Sequence, residues 1–168
     1  DMLGWIDMII ESDPEVKIAL YGISMGGATV MMTAGEELPS NVCAAIEDCG
    51  YTSVWDEFEE QLKRKFRLPS FPLLNIASYI CDKQGGYDFK EASAQKQVAR
   101  CDIPMMFIHG DADDFVPFEM LDKVYESASC EKQKLVIEGA GHAMSSSVAP
   151  ELYWSEVEKF LDRHMNGQ

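Results

Sequence analysis

Four short apolar runs, each closed at its end by a glycine or by an acid–glycine corner, recur along this chain with helical patterns between them. They are KIALYGI (17–23), VCAAIEDCG (42–50), IPMMFIHG (103–110) and KLVIEG (134–139). Runs of this length bounded by turn residues read as strands, and their near-continuous apolar character suits strands covered on both faces. The segments between and around them carry a different period. Leu3, Ile6, Ile9 and Ile10 repeat at helical spacing in 1–12, and small residues open a helix in GGATVMMTAGEEL (26–38). Phe118, Leu121, Val124 and Tyr125 mark a helix over 117–128, and Leu152, Val157, Phe160 and Leu161 another over 150–164. Strands alternating with helices imply βαβ units, hence an α/β fold built on a parallel sheet with helices on both faces.

The segment 51–102 breaks that alternation. It holds an amphipathic helical pattern in TSVWDEFEEQLKRKFRLPS, with Trp55, Phe58, Leu62 and Phe66 on one stripe. Ser53 and Asp56 have capping-box spacing, acids precede bases, and Pro69 follows. FPLLNIASYICDKQGG, apolar nearly all round, reads as a second helix and FKEASAQKQVA as a third. An excursion of this length exceeds an ordinary crossover. The expected organisation is a core of 1–50 and 103–168 with a helical cap inserted at 51–102.

The chain of 168 residues is long enough for one core, and its formal net charge is −15. Such a surface repels a phosphate backbone, which argues against nucleic-acid binding, and on the same ground disfavours an anionic membrane surface. The five cysteines, Cys43, Cys49, Cys81, Cys101 and Cys130, are odd in number and form no C-x-x-C pair. They read as free thiols, which favours a cytoplasmic setting over a disulfide framework or zinc site. No metal or cofactor is expected. The sequence opens inside a helical pattern without methionine, so a leader or anchor upstream stays open.

Gly22, Ser24 and Gly26 form a G-x-S-x-G at the junction of the first strand and the helix after it. A sharp strand-to-helix turn needs small neighbours and sets its central residue at a helix N-terminus, where backbone N–H groups favour negative charge. A serine hydroxyl needs a base to act as a nucleophile. Of the three histidines, His164 lies in the last turn of the final helix and reads as a solvated cap. His109 ends the third strand and reads as a packed or hydrogen-bonded corner. His142 follows the fourth strand between Gly139, Gly141 and Ala143, at the carboxyl end of the sheet where Ser24 also lies. An imidazole base needs an acid beside it, and HGDADDFVP supplies Asp111, Asp113 and Asp114 after the third strand. Composition does not choose among the three. As a metal site they lack a histidine–carboxylate ligand set.

GISMGG, HGDADDFVP and GAGHAMS, in this order, resemble the nucleophile elbow, the H-G-x-x-D-x-x-V-P acid loop and the G-x-G-H histidine loop of the α/β-hydrolase superfamily. The resemblance covers residues 1–165 and is nearest to esterase-like and serine-aminopeptidase-like bacterial hydrolases. It implies a serine hydrolase with Ser24 as nucleophile, Asp113 as the acid, His142 as the base and the Met25 backbone N–H as an oxyanion donor. The implied substrate is a small-molecule ester or acyl compound. Peptidase, thioesterase and acyltransferase chemistry use the same set, and a non-catalytic binding module is the rival class. Tyr51, Trp55 and Phe58 are candidate substrate contacts, with packing of the cap as the competing role. The superfamily sheet has eight strands, and the four here match its last four. The missing part includes the loop that carries a second oxyanion donor. The outer edge of strand 17–23 would then be bare, an aggregation liability, and is expected to be covered by an N-terminal segment, a self-associated copy or a rearranged segment.

Overall fold

The computed structural model describes residues 1–166, with four strands in one parallel sheet ordered β1-β2-β3-β4. The strands are β1 (Ile18–Ile23), β2 (Val42–Asp48), β3 (Met105–Gly110) and β4 (Lys132–Ile137). Every neighbouring pair is parallel, with Ile46 opposite Met106 and Ile108 opposite Leu135. The helices are α1 (Met2–Ser12), α2 (Met25–Ala34), α3 (Val54–Gln61), α4 (Leu73–Gly85), α5 (Ala94–Val98), α6 (Glu119–Ser127), α7 (Ser145–Val148) and α8 (Pro150–Leu161). This is the α/β arrangement expected from the alternating runs.

Alternation along the strands builds two cores. Leu20, Ala45, Met105 and Phe107 face α2, α5 and α6, where Val30, Met31, Ala94, Val98, Leu121 and Val124 are buried with them. Ala44, Ile46, Met106 and Ile108 face the other way, onto Tyr153, Val157 and Phe160 of α8. The central strands β2 and β3 are therefore buried on both faces, which is why they read as continuous apolar runs. β4 is an edge strand and only half-buried. β1 is the opposite edge: it pairs with β2 alone, and among the described residues no segment pairs with its outer side.

Between β2 and β3 the chain leaves the sheet. α3 is capped as its sequence suggests, the Ser53 hydroxyl accepting from the Asp56 N–H at 3.0 Å. The reciprocal half of the box is different: the Asp56 carboxylate accepts from Thr52 Oγ1 at 2.6 Å. The helix does not run to Pro69. It passes into a π turn over Leu62–Phe66, closed by Arg67 in the left-handed region at φ 55°. α4 follows. α5, expected within the insertion, instead packs against α2 and α6, with Ala94 and Val98 buried in the first core. The residues that precede it, 88–92, form a turn held by Asp88, whose Oδ1 accepts from the Lys90 N–H at 2.6 Å.

Candidate active site

The loops at the carboxyl ends of all four strands converge on one place. β1 is followed at once by Ser24, the residue before α2, with φ 56° and ψ −117°. A non-glycine residue held there is strained, and the surroundings show what holds it. The Ser24 N–H donates to Asp48 O at 2.7 Å, and Ala28 N–H donates to Ser24 O at 3.0 Å. The strand and helix approach so closely that a Cβ on Gly22 would lie 2.2 Å from Gly26 O. A Cβ on Gly27 would be 3.1 Å from Asp48 O. Among the described non-glycine residues with positive φ, three of four belong to this site: Ser24, Cys49 and Ala143. Concentrated strain of this kind is a mark of functional positions.

Ser24 Oγ lies 2.8 Å from His142 Nε2, and His142 Nδ1 lies 2.8 Å from Asp113 Oδ2. The three side chains come from residues separated by 118 and 29 positions in sequence, so the sheet, not local chain geometry, brings them together. Asp113 is fixed at its other oxygen, where Oδ1 accepts from the Phe115 and Val116 N–H groups, both at 2.9 Å. Burial pushes the Asp113 carboxyl up, but hydrogen bonds from His109, His142 and these two backbone donors outweigh it and hold it below its ordinary range. Asp113 is therefore an anion placed behind the imidazole. Of the other acids in the loop, Asp111 turns away and accepts from the Gly139 N–H at 2.6 Å, tying the acid loop to the histidine loop.

His109 is fully buried, and its Nε2 lies 3.1 Å from Val116 O and 3.3 Å from Asp113 Oδ2. His109 is thus a packed, hydrogen-bonded corner, and the corner is the seat of Asp113. Desolvation lowers the proton affinity of its ring, but Asp113 and Glu47 more than offset this and it ends above its ordinary value. His164, read as solvated, is packed: its ring lies 4.7 Å from that of Phe160, with Glu131 at 3.7 Å.

Asp48 forms a second buried carboxylate at the end of β2. Its Oδ1 accepts from Ser145 Oγ and its Oδ2 from the Tyr153 hydroxyl, each at 3.0 Å, and Tyr153 Oη is 2.8 Å from Tyr21 Oη. This network anchors α7, three residues after His142, to the strand that carries Ser24's backbone partner.

Other residues at the site carried no sequence signal of their own. The Phe115 ring lies against His142 at 4.8 Å and 38°, although Phe115 sits in plain view within the acid-loop motif. Cys49 Sγ lies within 4.8 Å of ligand atoms of both Asp113 and His142. Desolvation, with Asp48 adding to it, pushes this thiol up to about 12, so it is a neutral SH rather than a metal-ready thiolate.

The three candidate substrate contacts are placed differently. Phe58 stacks edge-on against Phe89 at 5.0 Å and lines an apolar cavity of about 290 Å³ with Gln61, Leu62, Phe66 and Leu74. Gln61 joins this cavity to the acid loop, its Nε2 donating to Phe115 O at 2.8 Å. Trp55, one turn before Phe58, does not line this cavity; Lys90 Nζ lies over its ring at 4.2 Å. Tyr51 is half-buried just after β2, beside Glu57 and Tyr87.

A sequence profile of the prolyl oligopeptidase family matches residues 1–168. YqkD of Bacillus subtilis (strain 168) is 32% identical over 145 residues, covering 86% of this chain and 48% of that protein. The chain thus spans about half the length of the curated relatives it matches. Among solved structures, Pyrococcus furiosus esterase Pf2001 superposes with a TM-score of 0.73 at 21% identity, over 98% of this chain and 60% of the esterase. Pyrococcus horikoshii acylaminoacyl peptidase superposes with a TM-score of 0.72 at 16% identity, over 95% of this chain and 26% of the peptidase. At those identities the two superpositions establish the shared α/β-hydrolase fold. With the family profile matched from end to end, the chain belongs to the prolyl oligopeptidase family of the α/β-hydrolase superfamily.

Proposed function

We propose that the full-length protein is a serine hydrolase that cleaves carboxylic esters through an acyl-enzyme, with Ser24, His142 and Asp113 as its catalytic residues. The observation that carries this reading is the unbroken hydrogen-bonded chain from Ser24 Oγ through both nitrogens of His142 to Asp113 Oδ2. Since Nδ1 faces an anion, it carries the ring proton, which leaves Nε2 bare toward Ser24. Ser24 Oγ attacks the ester carbonyl carbon while its proton passes to Nε2. The carbonyl oxygen becomes an oxyanion. Met25 is the first residue of α2, so its N–H is among the helix-start donors without an intrahelical acceptor and is available to that oxyanion. Collapse of the tetrahedral species breaks the bond to the alcohol, which leaves with the proton from Nε2. Water then repeats the sequence on the acyl-enzyme, releasing the acid and restoring Ser24.

The wall of Phe58, Leu62, Phe66 and Leu74 supports an apolar acyl or aromatic group as the part of the substrate that is bound. It adjoins the acid loop through Gln61 and has the volume of a small ligand pocket. In this reading 51–93 acts as a cap over the site, and an N-terminal segment of the longer protein pairs with the open edge of β1 and adds the second oxyanion donor. The assay is hydrolysis of a p-nitrophenyl ester series by the full-length protein and Ser24→Ala. The expected loss in kcat is about 10⁴-fold or more. Retention of wild-type activity by Ser24→Ala would overturn the assignment. Amide cleavage is the second reading, favoured by the family's peptidase members. Faster turnover of acyl-aminoacyl anilides than of matched esters would select it.

A further inference from the structure

Two of the five cysteines meet at the end of the sheet opposite Ser24. Cys101 lies in the turn between α5 and β3, and Cys130 in the turn between α6 and β4, so each leads into the amino end of one of two neighbouring strands. The two turns are fastened to each other. Val98 O accepts from both the Cys101 N–H and the Ser129 N–H, each at 3.1 Å, and Ser129 Oγ donates to Cys101 O at 2.8 Å. On the other side of Cys130, Glu131 O accepts from the Met105 N–H at 2.9 Å. Cys130 is thus held between two tethered residues, and its side chain packs against the core cluster that contains Cys101. There the two thiols share a side-chain hydrogen bond.

Two thiols buried alike would be ordinary core packing. These two are unlike. Cys101 is 1% exposed, whereas Cys130 is half-buried and reaches solvent. The shared hydrogen bond holds the Cys130 thiol below its ordinary range against the effect of burial, with Lys132 helping and Asp102 opposing. Lys132 Nζ is kept nearby at the end of α6, where Tyr125 O and Ala128 O accept from it, each at 2.8 Å. The same thiol–thiol bond, together with burial, pushes Cys101 up. The accessible sulfur is therefore the one with thiolate character, which makes it the attacking group. The buried, neutral one beside it is placed to resolve, and sulfurs in contact meet the first geometric condition for a bridge.

We propose that Cys101 and Cys130 are a redox-modification site, which reacts with low-molecular-weight disulfides of the glutathione class and closes an internal disulfide joining the α5–β3 turn to the α6–β4 turn. The Cys130 thiolate attacks one sulfur of the small disulfide, breaking its S–S bond and releasing one thiolate. Cys101 then gives up its proton to that thiolate and attacks the Cys130 sulfur, releasing the second small thiol. Two protein thiols are oxidised to one disulfide, and one small disulfide is reduced to two thiols. The bridge encloses 102–129, the stretch that holds β3, Asp113 and α6, in a covalent loop. Closing a loop of about 30 residues restricts the unfolded chain and favours the folded one. The site lies away from Ser24 and His142, and it does not depend on the hydrolase reading.

The test is incubation of the folded full-length protein with glutathione disulfide, followed by acid quenching, alkylation of the remaining thiols and peptide mass spectrometry. The expected result is one Cys101–Cys130 disulfide, reversed by dithiothreitol, and a melting temperature raised by about 5–10 °C in the oxidised protein. Cys101→Ser should stop at a glutathione adduct on Cys130, and Cys130→Ser should react about tenfold or more slowly at Cys101. The wild-type peptide map decides the matter even where a variant fails to fold. Both thiols still alkylated after equilibration would overturn the proposal, as would a lasting Cys130 adduct with Cys101 free in wild type. A bridge from either residue to another cysteine, a bridge that forms only in denaturant, or an oxidised protein that melts no higher than the reduced one would overturn it as well.

Discussion

Glu47→Gln isolates a carboxyl that burial keeps protonated near neutral pH. Glu47 is fully buried at the end of β2; its Oε2 accepts from the Gly50 N–H at 2.9 Å, and its Oε1 is buried with no partner among the described residues. Desolvation dominates its titration, and although the Gly50 N–H and His109 oppose it, the carboxyl is pushed up to about 8 from 4.5. A folded-state value above the unfolded one means that the native protein binds the extra proton between those limits, so stability falls as pH rises through the window. A gap of roughly 3.5 units corresponds to about 5 kcal/mol once fully developed, of which about 3–4 kcal/mol accrues between about pH 5 and about pH 8. Glutamine keeps the acceptor for Gly50 and cannot ionise, so it removes this slope. Its unpartnered amide costs about the same at every pH. Urea unfolding of wild type and Glu47→Gln across that range should therefore show the variant gaining about 3–4 kcal/mol relative to wild type as pH rises. A difference that stays constant within about 1 kcal/mol would show that Glu47 does not titrate in this window and would refute the reasoning.

Other changes probe the site and its supports. Asp113→Asn should present an amide N–H to His142 Nδ1, force the proton onto Nε2 and lower kcat about 10⁴-fold with little change in KM, as read by steady-state ester hydrolysis. Gly22→Ala should destabilise the protein by more than about 3 kcal/mol in chemical denaturation, because its Cβ would be driven into the Gly26 carbonyl, which is backbone and has no rotamer to escape through. Tyr153→Phe leaves Asp48 Oδ2 without its hydroxyl donor and should cost about 1–3 kcal/mol in the same assay. Phe58→Ala should flatten the dependence of KM on acyl chain length across an ester series, with kcat for the shortest ester unchanged.

Much of this was legible in the chain because the signals were dense. β2 and β3 are buried on both faces, so their apolar runs stand out. The apolar run marks β4 two residues late because the strand is an edge: Lys132 and Gln133 pair with Met105 and Met106 as surely as Leu135 pairs with Ile108, yet nothing apolar announces them. Strand limits follow backbone pairing, and side-chain character reports it only where both faces are covered. The stripe Trp55, Phe58, Leu62 and Phe66 suggested one helix to Pro69, but the π turn after Gln61 interrupts the period and turns Phe66 outward. The order of Ser24, Asp113 and His142 was readable from motifs. The second imidazole on Asp113, the strained Cys49 and the Tyr153–Asp48–Ser145 network were not, since each depends on which side chains from distant strands meet at one face of the sheet.

The central claim is that Ser24 is a nucleophile activated by His142. Its most direct measurement is intact-protein and peptide mass spectrometry of the full-length protein after treatment with a fluorophosphonate. The expected result is one phosphonyl adduct on the Ser24 peptide, absent in Ser24→Ala and formed far more slowly in His142→Gln. Ester hydrolysis that continues with Ser24 unlabelled, or a single adduct on another residue, would contradict it.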